Sequence, residues 1–370
     1  MKFAVITHIK HFKKNGEYYS YAPYVREMNL WFQHVDEVLV VGTFSPEKPG
    51  AIDLPYSAKN LQFKSLPDFD ILSLKSVFKT LRLLPSVLKI IYKTMQEADH
   101  IHLRCPGNVG LLGALVQIFF PHKPKTAKYA GNWQPGAKQP WSYRLQKWIL
   151  SNTFLTKNMQ VLVYGEWANQ SPNVKAFFTA TYSEKDKTEI PRRKYDLPLR
   201  FLFVGSLSSG KQPVYALELV AELIERGFPS ELHVYGEGPE REHLNKVAKE
   251  LKVEHQLFLH GNQPSEAVKE AYKKSHFLML PSKSEGWPKV VAEAMWWGVI
   301  PIATPVSCVP WMLDSGKRGV LLEMDLDSDA KKLQEQLLDK EKLKTTAAEA
   351  AIWSRNYTLE RFDSEIKKLL

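Results

Sequence analysis

The chain has 370 residues, 44% of them hydrophobic and 24% charged, which is typical of soluble globular proteins and long enough for two hydrophobic cores. The formal net charge of +10 favours anionic partners, namely nucleotide phosphates, nucleic acid or an acidic membrane surface. The sequence has no apolar run of 18 residues, its first residues do not resemble a secretory leader, and its 2 cysteines form no disulfide framework, so we expect a cytoplasmic protein without a membrane span.

Short apolar runs alternate with longer amphipathic ones along most of the chain, which is the pattern of βαβ units in a parallel sheet. A polar, charged segment with two prolines interrupts the series at 182–198, and we interpret it as a linker between domains. In chain order, strands are predicted at 3–7, 37–42, 100–103, 126–129 and 160–163, then at 200–204, 231–235, 256–260, 277–280 and 300–303, with helices at 214–226, 240–251, 265–274 and 289–297.

These two series of strands predict an α/β protein with two Rossmann-like domains that face each other across a cleft. The first domain is expected at 1–181 and the second at 199–350, with the linker at 182–198. The charged segment 351–370 is expected to form a C-terminal helix, which can pack back on the first domain.

The segment with the most candidate ligand-binding residues follows the strand predicted at 277–280, where a loop leads into a helix that begins near Pro288. A loop that rises from a strand end into a helix N-terminus binds phosphate well, because free N–H groups and the helix dipole both favour an anion. The predicted backbone donors are Gly286, Trp287, Lys289 and Val290.

Two carboxylates flank that loop. Glu285 lies in the loop itself, where it can reach the hydroxyls of a sugar, and Glu293 lies about two helical turns into the helix. A carboxylate that accepts both hydroxyls of a cis-diol suits a ribose. The alternative is that Glu285 caps the helix and Glu293 is a solvated surface residue.

Three other predicted strands end in glycine loops, and ligands of doubly wound sheets bind beyond the carboxyl ends of strands. Gly205 and Ser206 follow the first of these strands, and Lys211 supplies a point charge for a diphosphate. A flexible surface turn with a solvated lysine is the alternative. The other two loops contribute Tyr235, Gly236, Gly238, His260 and Gly261 as candidate donor-binding residues.

This combination of motifs resembles glycosyltransferase family 4, the retaining GT-B enzymes of glycosyltransferase group 1, over about residues 200–322. Lys211 is then implied to act on the diphosphate, Glu285 on the donor sugar and Glu293 on the ribose. Ser206 stands where family members commonly have an arginine. The resemblance rests on Gly205…Lys211, Tyr235-Gly-Glu-Gly-Pro239, Phe258-Leu-His-Gly261, Glu285-Gly-Trp-Pro with Glu293, and Gly298-Val-Ile-Pro-Ile-Ala-Thr304.

The first domain is expected to bind the acceptor. The tyrosine-rich segment 7–21, interpreted as a loop, contributes Gly16 and Tyr18 as candidates, although its tyrosines can equally pack on the domain surface. His102 matches a position where many family members have a histidine facing the cleft, and we assign it a catalytic role, with a buried core histidine as the alternative. Arg104 is a candidate partner for an anionic group of the acceptor.

Two basic segments with aromatic residues, 75–93 and 136–149, suggest a surface that docks on anionic lipid at the inner face of a membrane. The alternative is an amphipathic helix packed on its own sheet. Two Asp-x-Asp motifs, at Asp68 and Asp70 and at Asp325 and Asp327, superficially suggest a metal site. We assign no metal, and we interpret the second motif as helix capping.

The sequence thus predicts a retaining, metal-independent hexosyltransferase that needs no cofactor besides its nucleotide diphosphate sugar donor. Its acceptor is expected to be a glycan or a lipid-linked sugar, in cell-surface polysaccharide synthesis. The alternatives are a GT-B epimerase or phosphorylase, and a non-catalytic protein that binds anions or lipid surfaces. A nicotinamide oxidoreductase lacks support because no Gly-x-Gly-x-x-Gly follows the first strand. Nucleic acid is not an expected partner, because Glu285 and Glu293 repel a polyanion.

Overall fold

The computed structural model describes residues 1–50, 52–67, 74–191 and 193–370, with the backbone alone for 74–81. The chain divides into two compact units, which we call the first domain (Met1–Phe178 with Phe362–Leu370) and the second domain (Thr179–Arg361). Asp68 and Asp70, the first candidate metal motif, lie outside the described residues.

The segment predicted as a linker, 182–198, belongs to the second domain. The guanidinium of Arg193 donates to the backbone carbonyl oxygens of Tyr272 (2.8 Å) and Trp297 (2.7 Å), and Tyr195 is buried in the core of the second domain. These contacts hold the segment against that domain, so its polar composition reflects hydrogen bonding to the domain rather than exposure along a free connection.

The first domain contains a mixed sheet of nine described strands. Seven of them are parallel, in the order β5-β3-β1-β6-β7-β8-β9, while β2 pairs antiparallel with β1 and β4. The strands are β1 Lys2–Lys14, β2 Glu17–Tyr21, β3 Glu37–Phe44, β4 Asp53–Pro55, β5 Leu61–Leu66, β6 His100–Cys105, β7 Lys125–Tyr129, β8 Met159–Tyr164 and β9 Val174–Phe177, and the helices are α1 Ala22–Phe32, α2 Leu74–Glu97, α3 Asn108–Val116 and α4 Trp141–Ser151.

Strands β1 and β3, in the middle of the parallel set, are buried on both faces, which explains why Phe3–Ile6 and Val38–Val41 are continuous apolar runs rather than alternating ones. Helix α2 covers one face with Val87, Ile91 and Met95, which recur at helical spacing and are fully buried. The amphipathic alternative for segment 75–93 therefore holds for its described side chains. The helix continues through Pro85.

The segment interpreted as a loop at 7–21 is instead a β-hairpin. Strand β1 continues to Lys14 and pairs with β2, and the two are joined by Asn15 and Gly16 with positive φ angles of 52° and 85°. Asn-Gly is the preferred pair for a two-residue hairpin turn, because both residues adopt left-handed conformations easily. The Asn-Gly dipeptide is thus the signal for this hairpin in the sequence.

The second domain contains a parallel sheet of six described strands in the order β12-β11-β10-β13-β14-β15, and Trp296 and Trp297 are buried in it. Every strand and helix predicted in this half is present. The strands are β10 Leu199–Val204, β11 Ser230–Tyr235, β12 Leu257–Gly261, β13 Phe277–Leu280, β14 Ile300–Ala303 and β15 Val320–Leu321, and the helices are α5 Pro213–Glu225, α6 Arg241–Glu250, α7 Ser265–Lys274, α8 Lys289–Trp296, α9 Val309–Met312, α10 Leu326–Leu337 and α11 Lys340–Ser354. The last helix of the chain, α12 Leu359–Lys367, lies mostly in the first domain.

The predicted C-terminal helix at 351–370 is the end of α11 followed by the separate helix α12. Phe362 packs against Phe177 and Phe178, with ring centroids 5.4 and 5.6 Å away, so the last residues belong to the first domain. Asp325 caps α10 by accepting the backbone N–H of Ser328 at 2.9 Å, which confirms the capping interpretation of the second Asp-x-Asp motif. No helix in the described part of the chain has the length and apolar content to cross a membrane.

Candidate functional site

Backbone hydrogen bonds connect the loops that follow β10, β11 and β12. Gly205 N–H donates to Tyr235 O at 3.0 Å, Leu207 N–H to Glu237 O at 2.9 Å, and Gly236 N–H to Gly261 O at 2.9 Å. The glycine loops therefore meet at the carboxyl edge of one sheet, as the strand pattern predicted.

Close backbone contact explains two of the glycines in these loops. A Cβ at Gly236 would lie 1.9 Å from the carbonyl oxygen of Gly205, and one at Gly238 would lie 2.3 Å from that of Leu207. Both distances are far below a van der Waals contact, so only glycine lets the loops after β10 and β11 approach each other. Contact of these glycines with a donor stays a prediction.

Lys211 and Glu285 come together on the loops that follow β10 and β13. Lys283 N–H donates to Gly210 O at 2.9 Å and fastens the two loops, and next to this bond the Lys211 ammonium donates to Glu285 Oε1. The Glu285 side chain is 8% exposed and that of Lys211 is 29% exposed. The two predicted charges therefore form a partly solvent-accessible ion pair at the edge of the sheet.

Glu293 has partners that sequence reasoning missed. It lies on α8, where its carboxylate accepts the Thr181 hydroxyl at 2.8 Å and the Tyr272 hydroxyl at 3.0 Å. Burial and the neighbouring Glu293 charge raise the pKa of Tyr272 well above its usual value, which keeps the phenol a donor. Because these residues are distant in sequence from Glu293, no local pattern indicated the contacts.

Tyr235 and His260, both predicted to bind the donor, belong to a stack of rings on β11 and β12. Tyr235 lies 4.3 Å from His260, His260 lies 5.3 Å from His233, and His233 lies 4.6 Å from Phe258, measured between ring centroids. Desolvation lowers the pKa of His233 and of His260, so both rings are neutral at pH 7. The stack offers a flat aromatic surface beside a cavity of about 220 Å³ that Arg200 also lines.

The loop before α8 is held in place from within the second domain. Ser307 Oγ donates to Gly286 O at 3.0 Å, and the indole of Trp287 packs among Trp311, Trp353 and Tyr357. Because the indole of Trp287 is buried, the backbone is the part of this residue that can face a ligand. Lys289 and Val290 are the first residues of α8, as the sequence predicted. In the loop after β10, the hydroxyl of Ser206 lies 3.4 Å from that of Ser208.

His102 lies in the core of the first domain and not at a surface. Its side chain is fully buried, its Nδ1 is 2.8 Å from Thr126 Oγ1, and its ring is 4.7 Å from that of Trp31. A residue enclosed in this way reaches no substrate, so the catalytic role assigned to His102 was wrong and the core alternative holds. Strand β6 gave no local sign of which of its faces α1 covers.

The buried histidines predict a loss of stability in acid. Desolvation lowers the pKa of His100 to about 4 and that of His102 well below the usual 6.5. In the unfolded chain both bind protons below pH 6.5, which the folded state resists, so the free energy of unfolding should fall as pH drops from 6.5 toward 4. Urea unfolding at several pH values across this range measures that fall in the free energy of unfolding. A His100→Gln, His102→Gln variant should lose part of the slope, whereas His243→Gln, at an exposed site, should keep it; an unchanged slope in the double variant would contradict the burial argument.

The candidate acceptor residues of the first domain have other partners. Arg104 forms an ion pair with Glu27, with Nη1 and Oε1 2.6 Å apart and side chains 11% and 5% exposed. Glu27 thus neutralises the positive charge of Arg104 that was predicted to bind an anionic group of the acceptor. Gly16 forms the hairpin turn, and the Tyr18 ring lies 5.0 Å from that of Phe63 and under the Lys13 ammonium. These contacts account for Arg104 and Gly16 without an acceptor.

Residues 184–352 match the family model of glycosyl transferases group 1, which covers most of the second domain. The chain carries a group 1 glycosyltransferase domain. This confirms the resemblance found in the sequence, since the group 1 domain contains the Lys211–Glu285 pair, Glu293 and the glycine loops.

The chain is also similar to other bacterial glycosyltransferases over part of its length. The chain is 31% identical to D-inositol 3-phosphate glycosyltransferase of Corynebacterium jeikeium over 152 residues, which are 38% of this chain and 36% of the relative. It is 30% identical to lipopolysaccharide 1,6-galactosyltransferase of Salmonella typhimurium over 136 residues, or 36% and 37% of the two chains. The matches thus span little more than a third of these relatives.

The fold of the whole chain is similar to that of Anabaena Alr3699/HepE, whose crystal structure holds UDP and glucose. The TM-score is 0.69, the identity is 16%, and the likeness covers 100% of this chain and 98% of the other. This confirms the predicted fold class, an α/β protein with two Rossmann-like domains of the GT-B type.

Proposed function

We propose that the protein is a retaining, metal-independent glycosyltransferase that moves a hexose from a nucleotide diphosphate sugar to a glycan or lipid-linked acceptor. The observation that carries the proposal is the Lys211–Glu285 pair, which is held on two adjoining loops of the group 1 domain. A cation and a carboxylate so placed suit the two ends of a sugar diphosphate: the ammonium binds the phosphate oxygens and the carboxylate accepts sugar hydroxyls.

The chemistry assigns each group one task. The acceptor hydroxyl attacks the anomeric carbon from the face that the diphosphate leaves, and the departing phosphate oxygen takes the acceptor proton, so no protein base is required. Lys211 and the N-terminus of α8 stabilise the charge that grows on that phosphate. Since Ser206 supplies no cation, Lys211 bears more of this stabilisation than it would beside an arginine. A chelator should leave turnover unchanged on this mechanism.

Nucleotide binding is the first test. A thermal-shift panel of UDP, GDP and ADP sugars should show that one base class stabilises the protein, and the UDP bound by Alr3699/HepE makes UDP sugars the first candidates. Acceptor-dependent release of the nucleoside diphosphate then separates a transferase from an epimerase or a phosphorylase. Stabilisation by none of the three classes would contradict the proposal.

Glu293 should be required for that nucleotide response. Glu293→Ala should abolish the thermal shift, because the carboxylate that pairs with the ribose hydroxyls is lost, at about 1.5–3 kcal/mol for each charged hydrogen bond. Glu266→Ala, at an exposed carboxylate of the same domain, is the control and should keep the shift. Tyr272→Phe removes one protein partner of Glu293, and a shift lost in this variant as well would assign Glu293 a structural role instead.

The cellular setting is part of the same proposal. The Salmonella relative is a lipopolysaccharide galactosyltransferase, which supports an acceptor in cell-surface polysaccharide synthesis. We expect the enzyme in the cytoplasm, in peripheral contact with the inner face of the membrane.

A further inference from the structure

The positive charge of the chain is concentrated in one stretch. Residues 71–165 contain 13 of the 50 lysines and arginines but only 2 of the 40 aspartates and glutamates, Glu97 and Asp99. The remaining residues hold 37 cations and 38 anions, so they are almost neutral. The net charge of +10 is therefore a property of one part of the first domain, and that part favours an anionic partner.

The same stretch exposes aromatic side chains on helix α4. Trp141 is 62% exposed and Trp148 is 59% exposed. They lie seven residues apart with the exposed Arg144 between them, so all three share one face of the helix, while Ile149 and Leu150 bury the other face in the core. Water-facing tryptophans of this kind are not needed for packing.

The exposed aromatic surface continues beyond α4. Phe154, in the turn after the helix, is 77% exposed, and Phe119, in a short turn after α3, is 72% exposed. The two turns adjoin, because the Gln117 side chain donates to Leu155 O at 3.2 Å. The exposed ring of Tyr92 on α2 lies 6.3 Å from that of Phe119. Rings from three helices and their turns thus contribute to one surface.

A basic cavity of about 570 Å³ opens beside α4 and is lined by Lys138, Arg144 and Lys147. The Lys147 ammonium is held by Trp133 O at 2.8 Å. Among the residues that the structure describes, Lys138 and Arg144 have no carboxylate partner. Three cations around a space of this size suit a phosphate group.

We propose that this aromatic-basic face, formed by Tyr92, Phe119, Trp141, Arg144, Trp148 and Phe154 together with the cavity, docks on a membrane surface rich in anionic lipid. The rings lie at the level of the headgroups and the cavity takes a lipid phosphate. The inference rests on the membrane contact that the proposed function includes and names the surface that forms it, but it needs no assumption about the donor.

Charge and side-chain type select this occupant over two others. A second copy would bring one cationic face against another, which repels. Nucleic acid would use rings for stacking, but the face also exposes the aliphatic Leu115, which suits acyl chains and has no role on a base. Helix α2, to which the sequence assigned much of this surface, turns Val87, Ile91 and Met95 inward and adds Tyr92 with the exposed Lys89 and Lys93.

Vesicle co-sedimentation tests the inference without turnover or donor. The full-length protein should bind vesicles of equal parts phosphatidylglycerol and phosphatidylcholine, and bind phosphatidylcholine vesicles weakly. Trp141→Ala with Trp148→Ala should lower the partition coefficient by more than ten-fold. Lys138→Gln and Arg144→Gln should each lower it roughly five-fold, with less effect at high salt.

The controls separate docking from folding and from other partners. Leu338→Ser and Ile352→Ser remove exposed apolar residues of the second domain and should leave vesicle binding unchanged. The variants should keep the thermal midpoint of the parent protein, since every changed side chain is exposed. Equal binding by the tryptophan variant, equal binding to neutral vesicles, or tighter binding to a single-stranded oligonucleotide than to anionic vesicles would overturn the proposal. A failed nucleotide panel with intact vesicle binding would count against the transferase alone.

Discussion

Lys211→Ala should lower turnover by about 10²–10³-fold while it weakens binding of the nucleoside portion far less. The ammonium forms its strongest contact with the phosphate oxygen when that oxygen gains charge on leaving, so its loss raises the barrier more than it costs in ground-state affinity. Initial rates with the donor from the thermal-shift panel, beside the affinity for the free nucleoside diphosphate, measure the two effects separately.

Two companion variants make that result specific. Lys246→Ala removes a strongly exposed lysine of α6 in the same domain and should leave the rate unchanged. Since Lys211→Ala also leaves the mostly buried Glu285 carboxylate without its cation, a Lys211→Met, Glu285→Gln double variant should recover thermal stability but not turnover. Turnover restored in the double variant, or unchanged in Lys211→Ala, would remove the pair from the mechanism.

The sequence was a sufficient guide to features that depend on short stretches. Continuous apolar runs such as Phe3–Ile6 and Phe277–Leu280 predicted buried parallel strands, because a strand covered on both faces has no polar side. The position of Lys211 and Glu285 at two strand ends was equally predictable, since the carboxyl ends of parallel strands share one edge of a sheet. That rule brought together two residues 74 positions apart.

Features that depend on which face a neighbour covers were not predictable. His102 has a strand sequence that suits either face, and only the packing of Trp31 from α1 decides that it is buried. Glu293 looked free because Thr181 and Tyr272 come from elements that no local pattern connects with α8. The failures therefore lie where tertiary contacts, rather than propensity or spacing, determine the environment of a side chain.

Arg104 illustrates the same limit, and it leads to the largest expected effect on stability. Arg104→Ala should lower the free energy of unfolding by about 3–5 kcal/mol, because it leaves the Glu27 carboxylate buried and charged without this guanidinium. Glu27→Ala should cost a similar amount, because it leaves the mostly buried Arg104 guanidinium charged without this carboxylate. Burial alone would lower the pKa of Arg104, but the Glu27 charge helps to raise it above its usual value. Urea unfolding curves measure both variants.

A structural role for the Arg104–Glu27 ion pair and a role for Arg104 in acceptor binding lead to opposite predictions for the same variants. If Arg104 is structural, Glu27→Gln with Arg104→Met, which removes both charges, should cost much less than either single alanine variant, and the folded protein should keep its acceptor KM. The exposed pair Lys344–Glu341 sets the scale, since Lys344→Ala should cost under about 1 kcal/mol. An Arg104→Ala protein that loses less than this and yet shows a raised acceptor KM would return the residue to substrate binding, because a guanidinium that contributes nothing to the fold is then free to bind an anion.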